Sequence, residues 1–406
     1  MSTATPAASP QYRWVLIMLS GAALVSITLG IRQVFGLFLI PISTELNSGV
    51  QIFSLAIAVQ NLVWGASSPL FGAVADKYGA WRVAAFGLLV FAAGLLSMAM
   101  VVNEAGIFLG QILIGIGIGS AGISIAVGAV ARAAPPAKRS LAMGLVTSFG
   151  SFGQFALVPV TQIFMTEHGW QFALVMLSAL SASMIAVSLG LRTPAGRASP
   201  PVEGAVLTTG AALRQATSSR DYILLTVGFF VCGLQLVFIT THLPTYLRDA
   251  GLSAEIAGWS LSLIGLFNIV GAFICGWLGG VMSKKKALAS VYLLRGLVIV
   301  AFITVPASPF MALFFGAAMG LLWLGTIPLT SGLIVTFFGP RHLSMLYGLV
   351  FFSHQIGSFV GAWLGGLWYD VFGNYEAMWW LNAAAGLFAF IVNWAIREPQ
   401  PDAVPA

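Results

Sequence analysis

Twelve apolar stretches follow one another along this chain of 406 residues, and they restrict its fold more than any other feature. Each stretch is long enough to cross the roughly 30 Å hydrocarbon core of a bilayer as a helix. The alternating pattern that barrel strands show is missing from the sequence. We therefore expect an all-α membrane protein whose helices lie near 14–40, 51–72, 82–101, 106–131, 140–164, 170–190, 222–247, 255–281, 287–305, 309–337, 345–369 and 375–396.

The composition excludes a soluble fold and gives the chain a predicted orientation. Charged residues make up 7% of the chain, whereas soluble domains carry about 25%. With a cytoplasmic N-terminus, fifteen of the eighteen Lys and Arg residues fall in cytoplasmic segments. This positive-inside bias predicts that both termini are cytoplasmic and that the chain is a multi-pass protein of the inner (plasma) membrane. The net charge of +6 is then explained by the basic residues of the cytoplasmic segments. No nucleic-acid partner is expected.

One long polar segment divides the twelve helices into two groups of six. It is rich in Pro, Ala, Ser and Arg, and we expect it to be a cytoplasmic linker that includes a short surface helix from Ala211 to Arg220. Two groups of six helices are typical of transporters that are built from two pseudo-symmetric halves. The predicted organisation is a tail at 1–13, a first bundle at 14–190, the linker at 191–221, a second bundle at 222–396 and a tail at 397–406.

Two arginines lie inside otherwise apolar helices, Arg32 in the first and Arg295 in the ninth. A charged side chain at mid-bilayer costs roughly 2.5–3.5 kcal/mol on insertion scales. No Asp or Glu is predicted inside the membrane to pair with them, so we expect an anionic substrate to be the missing partner. The guanidinium fork of Arg32 suits a carboxylate. The alternatives are an arginine that bonds backbone carbonyls or extends to the membrane surface, and for Arg295 one that packs between helices.

The loop between the second and third helices carries a motif at residues 72–82. Gly72, Asp76, Gly79 and Arg82 form it, and Asp76 is expected to cap a helix or to pair with Arg82 or a neighbouring arginine. With twelve helices and a central linker, this motif resembles the loop signature of the major facilitator superfamily. The resemblance implies a clasp, with Arg139 included, that holds one conformational state and does not touch substrate. The counterpart at 280–286 lacks the acid, so a second clasp is not expected.

Three further stretches, 138–145, 241–247 and 365–375, resemble the monocarboxylate-transporter branch and its bacterial relatives. In that branch a basic residue late in the first helix binds the substrate carboxylate, and Arg32 falls near that place. The branch also has an acid–arginine pair in its eighth helix. Here Asn268 stands at the position of the acid and no arginine follows. Monocarboxylate specificity and the usual proton coupling are therefore not carried over.

Two histidines complete the candidates, His242 in the seventh helix and His354 in the eleventh. An imidazole titrates near neutral pH and can carry a proton, although a neutral histidine bonded to the backbone is the alternative. Other neutral polar residues, among them Asn61 and Thr240, project from several helices, and the sequence does not choose among them. The predicted substrate-binding set is Arg32, Gln33, His242, Asn268, Arg295, His354 and Gln355.

The leading interpretation is a monomeric secondary active transporter that moves a small organic anion, a carboxylate, across the membrane by alternating access, with proton symport left open. The main alternative is a proton-coupled efflux pump for drugs or metabolites, but such pumps usually need a membrane carboxylate. A receptor or scaffold without transport is a third interpretation. An intramembrane enzyme would need a clustered acid, base or metal set, and four scattered histidines do not supply one. No metal, cofactor or enzymatic activity is expected.

Overall fold

A computed structural model gives the structure of residues 13–135, 138–192, 209–339 and 343–398. Within these ranges the elements are helices, and twelve spans are long and apolar enough to cross a membrane. The predicted fold class is thereby confirmed. The helices are α1 (Arg13–Gln33), α2 (Phe35–Glu45), α3 (Val50–Tyr78), α4 (Ala80–Met100), α5 (Glu104–Ala121), α6 (Ile123–Ala133), α7 (Arg139–His168), α8 (Trp170–Ser188), α9 (Thr209–Thr217), α10 (Arg220–Asp249), α11 (Ala254–Val281), α12 (Lys284–Thr304), α13 (Pro309–Leu322), α14 (Thr326–Phe338), α15 (Leu343–Phe372) and α16 (Glu376–Trp394).

Three of the membrane spans are broken into two helices. The first span breaks at Val34 between α1 and α2, the fourth at Gly122 between α5 and α6, and the tenth at 323–325 between α13 and α14. A continuous first helix was predicted, and the break at Val34 corrects this. Interrupted backbone is tolerated at membrane depth where it is buried in protein or lines a cavity. Each break is therefore a candidate position for a binding site.

The predicted linker falls mostly outside the described residues, because 193–208 are not among them; residues 1–12 and 399–406 of the two tails lie outside as well. The predicted surface helix at 211–220 corresponds to α9, which ends at Thr217. Ser219 accounts for this end, because its Oγ accepts a hydrogen bond from the Tyr222 backbone N–H (3.4 Å) as the N-cap of α10. Arg220 therefore begins the seventh membrane span instead of closing α9.

Helices α1–α8 pack as one half of the molecule and α10–α16 as the other, and the halves meet through α3 with α15, α7 with α11, and α2 with α10. Twelve spans bring both ends of the described chain to one side of the bundle, which we call the near side. The opposite side, where α2 ends and α3 begins, is the far side. The halves enclose a common interface, and its two ends differ.

The far end of this interface is closed by a hydrogen-bonded cap. Asp370, near the end of α15, accepts hydrogen bonds from the backbone N–H groups of Val50 (2.8 Å) and Gln51 (2.7 Å) in the first turn of α3. A carboxylate at a helix N-terminus satisfies orphan N–H groups and matches the helix dipole. Here the carboxylate belongs to one half and the helix to the other, so the bond holds the two halves together.

The near end of the interface has no such cap among the described residues. Every hydrogen bond between the halves, within the described ranges, lies between the far end and the pair Asn268–Ser151 at mid-helix. The described hydrogen bonds between the halves are thus concentrated in the far part of the interface.

Candidate functional site

A small cavity lies at mid-depth between the two halves, beside the break in the first span. The space inside it that a water-sized molecule can occupy is about 10 Å³. That is room for about one water molecule, so the halves must move apart before a larger solute fits. Three of its lining residues come from α10 in the second half and the others from the first half: Arg32, Phe35, Gly36, Ile57, Gln60, Asn61, Val237, Thr240 and Thr241.

Arg32 supplies the charge of the cavity. Its Nη2 donates to the Asn61 side-chain oxygen (3.0 Å), and its guanidinium carbon lies 4.9 Å from the centre of the Trp64 ring. The Asn61 amide is itself oriented, because its Nδ2 donates to the Ile57 carbonyl (2.8 Å). A neutral oxygen and an aromatic face position the guanidinium. No carboxylate among the described residues neutralises it.

Two donors at the cavity lack an acceptor within the described part of the chain. They are the Arg32 Nε and the Gln60 Nε2, and both atoms are buried. A buried donor without a partner costs roughly 1–3 kcal/mol, and more when it is charged. The described lining contains no acid. A lining with free donors and one positive charge favours an anion that accepts hydrogen bonds.

The break in the first span lies beside the cavity. Arg32 lies in the last turn of α1, where a cation is favourable, and α2 begins at Phe35 beside the cavity. The N-terminal end of an 11-residue helix therefore lies next to the guanidinium. The negative end of α1 and the positive end of α2 meet at Val34, so their partial charges offset each other. Arg32 is therefore the charge that an anion would meet here.

Gly36 allows the second half to approach the cavity closely. A Cβ placed on Gly36 would collide with the Thr240 backbone carbonyl, so the glycine lets α2 lie directly against α10. Thr240 and Thr241 then reach the cavity from α10. The cavity wall therefore contains both halves, and a movement of one half against the other changes its shape.

Three of the predicted site residues hold the halves together instead of lining the cavity. Gln33 donates to the Leu261 carbonyl across the interface (3.4 Å). Asn268 donates to the Ser151 Oγ (2.7 Å) and accepts from the Leu324 backbone N–H (2.9 Å) at the break in the tenth span. Gln355 is fully buried, and its side chain contacts Gly65 of the other half. Substrate contact by these three residues is not part of the arrangement seen here.

The two histidines have different surroundings. His242 is fully buried; its Nε2 lies 2.9 Å from the Ala362 carbonyl and its Nδ1 lies 3.0 Å from the Tyr375 hydroxyl. Both ring nitrogens are thus occupied within the second half, and the ring does not line the cavity. The predicted role of His242 in substrate binding stays a prediction.

His354 lies close to the site. Its ring stacks on Phe351 (centroids 5.7 Å apart, 9° between planes), and Phe351 meets Trp64 edge to face (5.4 Å). The Arg32 guanidinium lies over the Trp64 ring. The His354 Nδ1 lies 3.2 Å from the Gln355 side-chain oxygen. His354 therefore lies behind the aromatic wall of the cavity, one ring removed from Trp64.

Arg295 already has partners in the polypeptide, as in the alternative of an arginine that packs between helices. Its side chain is fully buried, and its Nε and Nη2 donate to the Leu322 carbonyl (3.0 and 2.7 Å). Nη2 also donates to the Trp323 carbonyl, and Nη1 donates to the Cys232 Sγ (3.3 Å). Both carbonyls are at the break in the tenth span. Arg295 is therefore a structural residue that satisfies interrupted backbone.

In the near-side clasp, Asp76 pairs with an arginine other than Arg82. Asp76, in the last turn of α3, accepts a hydrogen bond from Arg132 at the end of α6 (2.5 Å). Arg82 instead lies over the Trp81 ring, at 5.3 Å. Gly79 joins α3 to α4 with a φ of +94°, a conformation that suits glycine. Gly72 and Arg139 lie at this side as predicted, but the described bonds of Asp76 stay within the first half.

The second half has a clasp whose acid comes from the C-terminal tail. Glu398 accepts hydrogen bonds from the Ser283 Oγ (2.6 Å) and from the backbone N–H groups of Lys284 and Lys285 (3.2 Å each) at the start of α12. Asp221 holds the same tail by accepting from the Arg397 backbone N–H (2.8 Å). A second clasp was not expected, because the motif at 280–286 lacks an acid. The tail supplies one.

Sequence analysis missed Gln60 and Thr241, and for Gln60 a signal was present. Ile57, Gln60, Asn61 and Trp64 are spaced i, i+3, i+4 and i+7, which places them on one face of α3. Two adjacent amides within an apolar helix, one turn before a tryptophan, mark that face as a polar wall. Thr241 has no comparable signal, because α10 carries several threonines.

Comparisons with known proteins agree with this architecture. The Major Facilitator Superfamily profile matches residues 18–326 and 247–406. The chain is 23% identical to the uncharacterized MFS-type transporter YcxA of Bacillus subtilis, over 90% of this chain and 91% of that protein. It is 27% identical to monocarboxylate transporter 13 of Bos taurus (89% and 84% covered), and 28% identical to the putative niacin/nicotinamide transporter NiaP of Bacillus subtilis (71% and 68% covered).

These matches confirm the resemblance that the loop motif and the three branch segments indicated. The superfamily and the relatives are transporters, and this makes the chain a multi-pass membrane transporter and not an enzyme. The protein belongs to the Major Facilitator Superfamily.

Proposed function

We propose that this protein is a secondary active transporter for a small organic anion, a carboxylate, and that the cavity at Arg32 holds the anion. One observation carries the proposal: the Arg32 guanidinium lies between the halves with a single side-chain oxygen partner and a free Nε. At about 4 Å and an effective dielectric near 20, a carboxylate beside it gains about 4 kcal/mol before desolvation. That is enough to select anions without trapping them.

The names of the relatives support this class of substrate. Monocarboxylate transporters 11, 12 and 13 and a putative niacin/nicotinamide transporter carry names that include carboxylic acids. The alternative, an efflux pump that exchanges protons for cationic compounds, has less support, because the described lining of the cavity contains no acid to bind a cation.

The mechanism we infer is alternating access around this cavity in the inner membrane, with the near side in the cytoplasm and the protein acting as a monomer. In the present state the Asp370 cap closes the far side, and substrate exchanges with the near side. Breaking the Asp370 cap and bringing α7 and α11 together on the near side would reverse the access. Asp76, which pairs with Arg132 in the present state, would then help to hold the opposite state.

Uptake into proteoliposomes tests the proposed substrate class. Acid and amide pairs of one shape, lactate with lactamide and nicotinate with nicotinamide, separate charge from size. We expect at least one labelled acid to enter protein-containing vesicles and its amide to be excluded. Equal entry of acid and amide for every pair, or entry of none, would contradict the proposal.

A proton, where one is co-transported, is proposed to pass through His354. We expect His354→Gln to abolish stimulation of acid uptake by an inward pH gradient, while exchange of labelled for unlabelled acid across equal pH continues. His242→Gln is the matched control, because that ring lies in the second half away from the cavity. Retained gradient stimulation in His354→Gln would remove the histidine from the mechanism.

The Asp370 cap predicts a conformational effect. Removing an N-cap costs about 1 kcal/mol, so we expect Asp370→Ala to shift the equilibrium about fivefold towards a far-side-open state. Spin labels at Glu45→Cys and Val371→Cys, on exposed positions of the two halves, report the far-side distance by double electron–electron resonance. The variant should show a larger population of long distances. An unchanged distribution would show that the cap does not govern the gate.

A further inference from the structure

The near side of the first half carries two guanidinium groups beside one tryptophan and a third arginine that is bonded to the backbone of one of them. Arg82 and Arg192 lie 5.3 and 4.4 Å from the centre of the Trp81 ring. Arg13 donates from its Nη2 to the Arg192 carbonyl (3.4 Å). They come from the start of α1, the start of α4 and the end of the 3-10 helix Leu189–Leu191 that follows α8. Packing of that 3-10 helix against α1 and α4 gathers them.

We propose that this cluster binds the phosphate headgroup of an anionic phospholipid. Arginine forks bind phosphate oxygens in a bidentate manner, and basic pockets at the membrane surface hold anionic headgroups. Trp81 lies at the end of a membrane span, where tryptophan is enriched at headgroup depth. The proposal is independent of the transport function and adds a defined lipid to the architecture.

The charge balance around the cluster supports an external anion. Asp76 is the one acid that the structure describes on the near side of the first half, and Arg132 occupies it. Arg13, Arg82 and Arg192 are all exposed, and none forms an ion pair with a described residue. Three like charges held this close repel one another, and a bound phosphodiester would relieve that repulsion.

The surface one turn deeper favours a lipid over a soluble anion. Leu16 follows Arg13 by one helical turn, Phe86 follows Arg82 by one turn, and Leu189 precedes Arg192 by three residues. These three apolar side chains are exposed, at 51%, 48% and 44%. Cationic groups at the membrane surface above exposed apolar groups match a phosphate joined to acyl chains. Inorganic phosphate would use the upper part alone.

Lipid titration of the full-length protein in detergent tests the proposal. The probes are phosphatidylglycerol, phosphatidylcholine and inorganic phosphate, and native mass spectrometry gives the dissociation constant of each. We expect wild type to bind phosphatidylglycerol more tightly than phosphatidylcholine. Each basic residue near an anionic surface contributes about fivefold in affinity, so Arg82→Gln with Arg192→Gln should weaken phosphatidylglycerol binding by roughly 25-fold.

The matched control is Arg220→Gln with Lys286→Gln, which removes two exposed near-side cations from the second half. Phosphatidylglycerol affinity should remain at the wild-type value there. Equal losses in both double variants would show a general charge effect, and unchanged binding in Arg82→Gln with Arg192→Gln would exclude the cluster. Either result overturns the proposal, as does displacement of the lipid by inorganic phosphate at equal concentration. Should the double variant fail to fold, the single variants give the same comparison at about fivefold each.

Discussion

Replacement of Arg32 by glutamine is expected to lower the uptake efficiency for the carboxylate by at least about 30-fold while the protein remains folded. Removing one partner of a desolvated charge pair costs roughly 2–5 kcal/mol, and each 1.4 kcal/mol is a factor of ten. Stability should be maintained, because Arg32 makes one side-chain hydrogen bond and its Nε has no described partner. Initial rates in proteoliposomes over a range of substrate concentrations measure the effect.

Lysine at position 32 should restore part of the activity, because it keeps the charge but lacks the planar fork. Arg248→Gln is the matched control, since Arg248 is exposed at the far end of α10 and pairs with Asp249 (3.3 Å). Near-normal uptake is expected there. Should Arg32→Gln transport as well as Arg248→Gln, the cavity at Arg32 is not the anion site.

Replacement of Arg295 by methionine is expected to destabilise the protein. The carbonyls of Leu322 and Trp323 would lose their donor at the break in the tenth span, where no water is available to replace it. Each orphaned buried group costs roughly 1–3 kcal/mol. We expect a loss of about 2–6 kcal/mol in all, measured as a lowered thermal midpoint and a reduced monodisperse fraction in size-exclusion chromatography.

Arg295→Lys serves as the partner variant, because an ammonium retains the charge and can still donate to one or both carbonyls. Its stability should lie between those of wild type and Arg295→Met. A folded Arg295→Met protein with wild-type stability but without uptake would reverse our assignment, and would return Arg295 to the substrate site. The two intramembrane arginines thus predict opposite phenotypes, one folded and inactive, the other unstable.

The fold was predictable because its determinant is local. A bilayer fixes the length of a span, so apolar run length alone located twelve helices. The breaks within spans were not predictable to the same degree. Glycine occurs at two of them, Gly122 and Gly325, but glycines are frequent elsewhere in the chain, and the first break falls at Val34. Where a helix breaks depends on what packs around it, and that is not a local property.

The sequence predicted how deep the candidate site lies in the membrane, but not which way its side chains point. Position along a helix gives the depth of a residue in the membrane, which was sufficient to select Arg32. The direction in which a side chain points depends on partners that are remote in sequence. Successive helical residues are rotated by about 100°, so Gln33 faces the half-to-half interface when Arg32 faces the cavity. Asn268, for example, donates a hydrogen bond to Ser151, which lies 117 residues away in the sequence.

Arg295 shows the same limit for charge. The sequence has no carboxylate at the depth of Arg295 in the membrane, and we therefore predicted an external anion as its partner. The actual partners are the backbone carbonyls of a helix break 27 and 28 residues further along, and these cannot be counted from composition. The argument for an external anion therefore rests on Arg32, whose described partners are one amide oxygen and one aromatic face.

Equilibrium binding to the purified protein is the most direct test of this claim. Lactate and lactamide, and nicotinate and nicotinamide, are measured with wild type and with Arg32→Gln under identical conditions. Our account predicts that wild type binds an acid and rejects its amide, and that Arg32→Gln loses this preference. Binding of an acid to Arg32→Gln with wild-type affinity would contradict it.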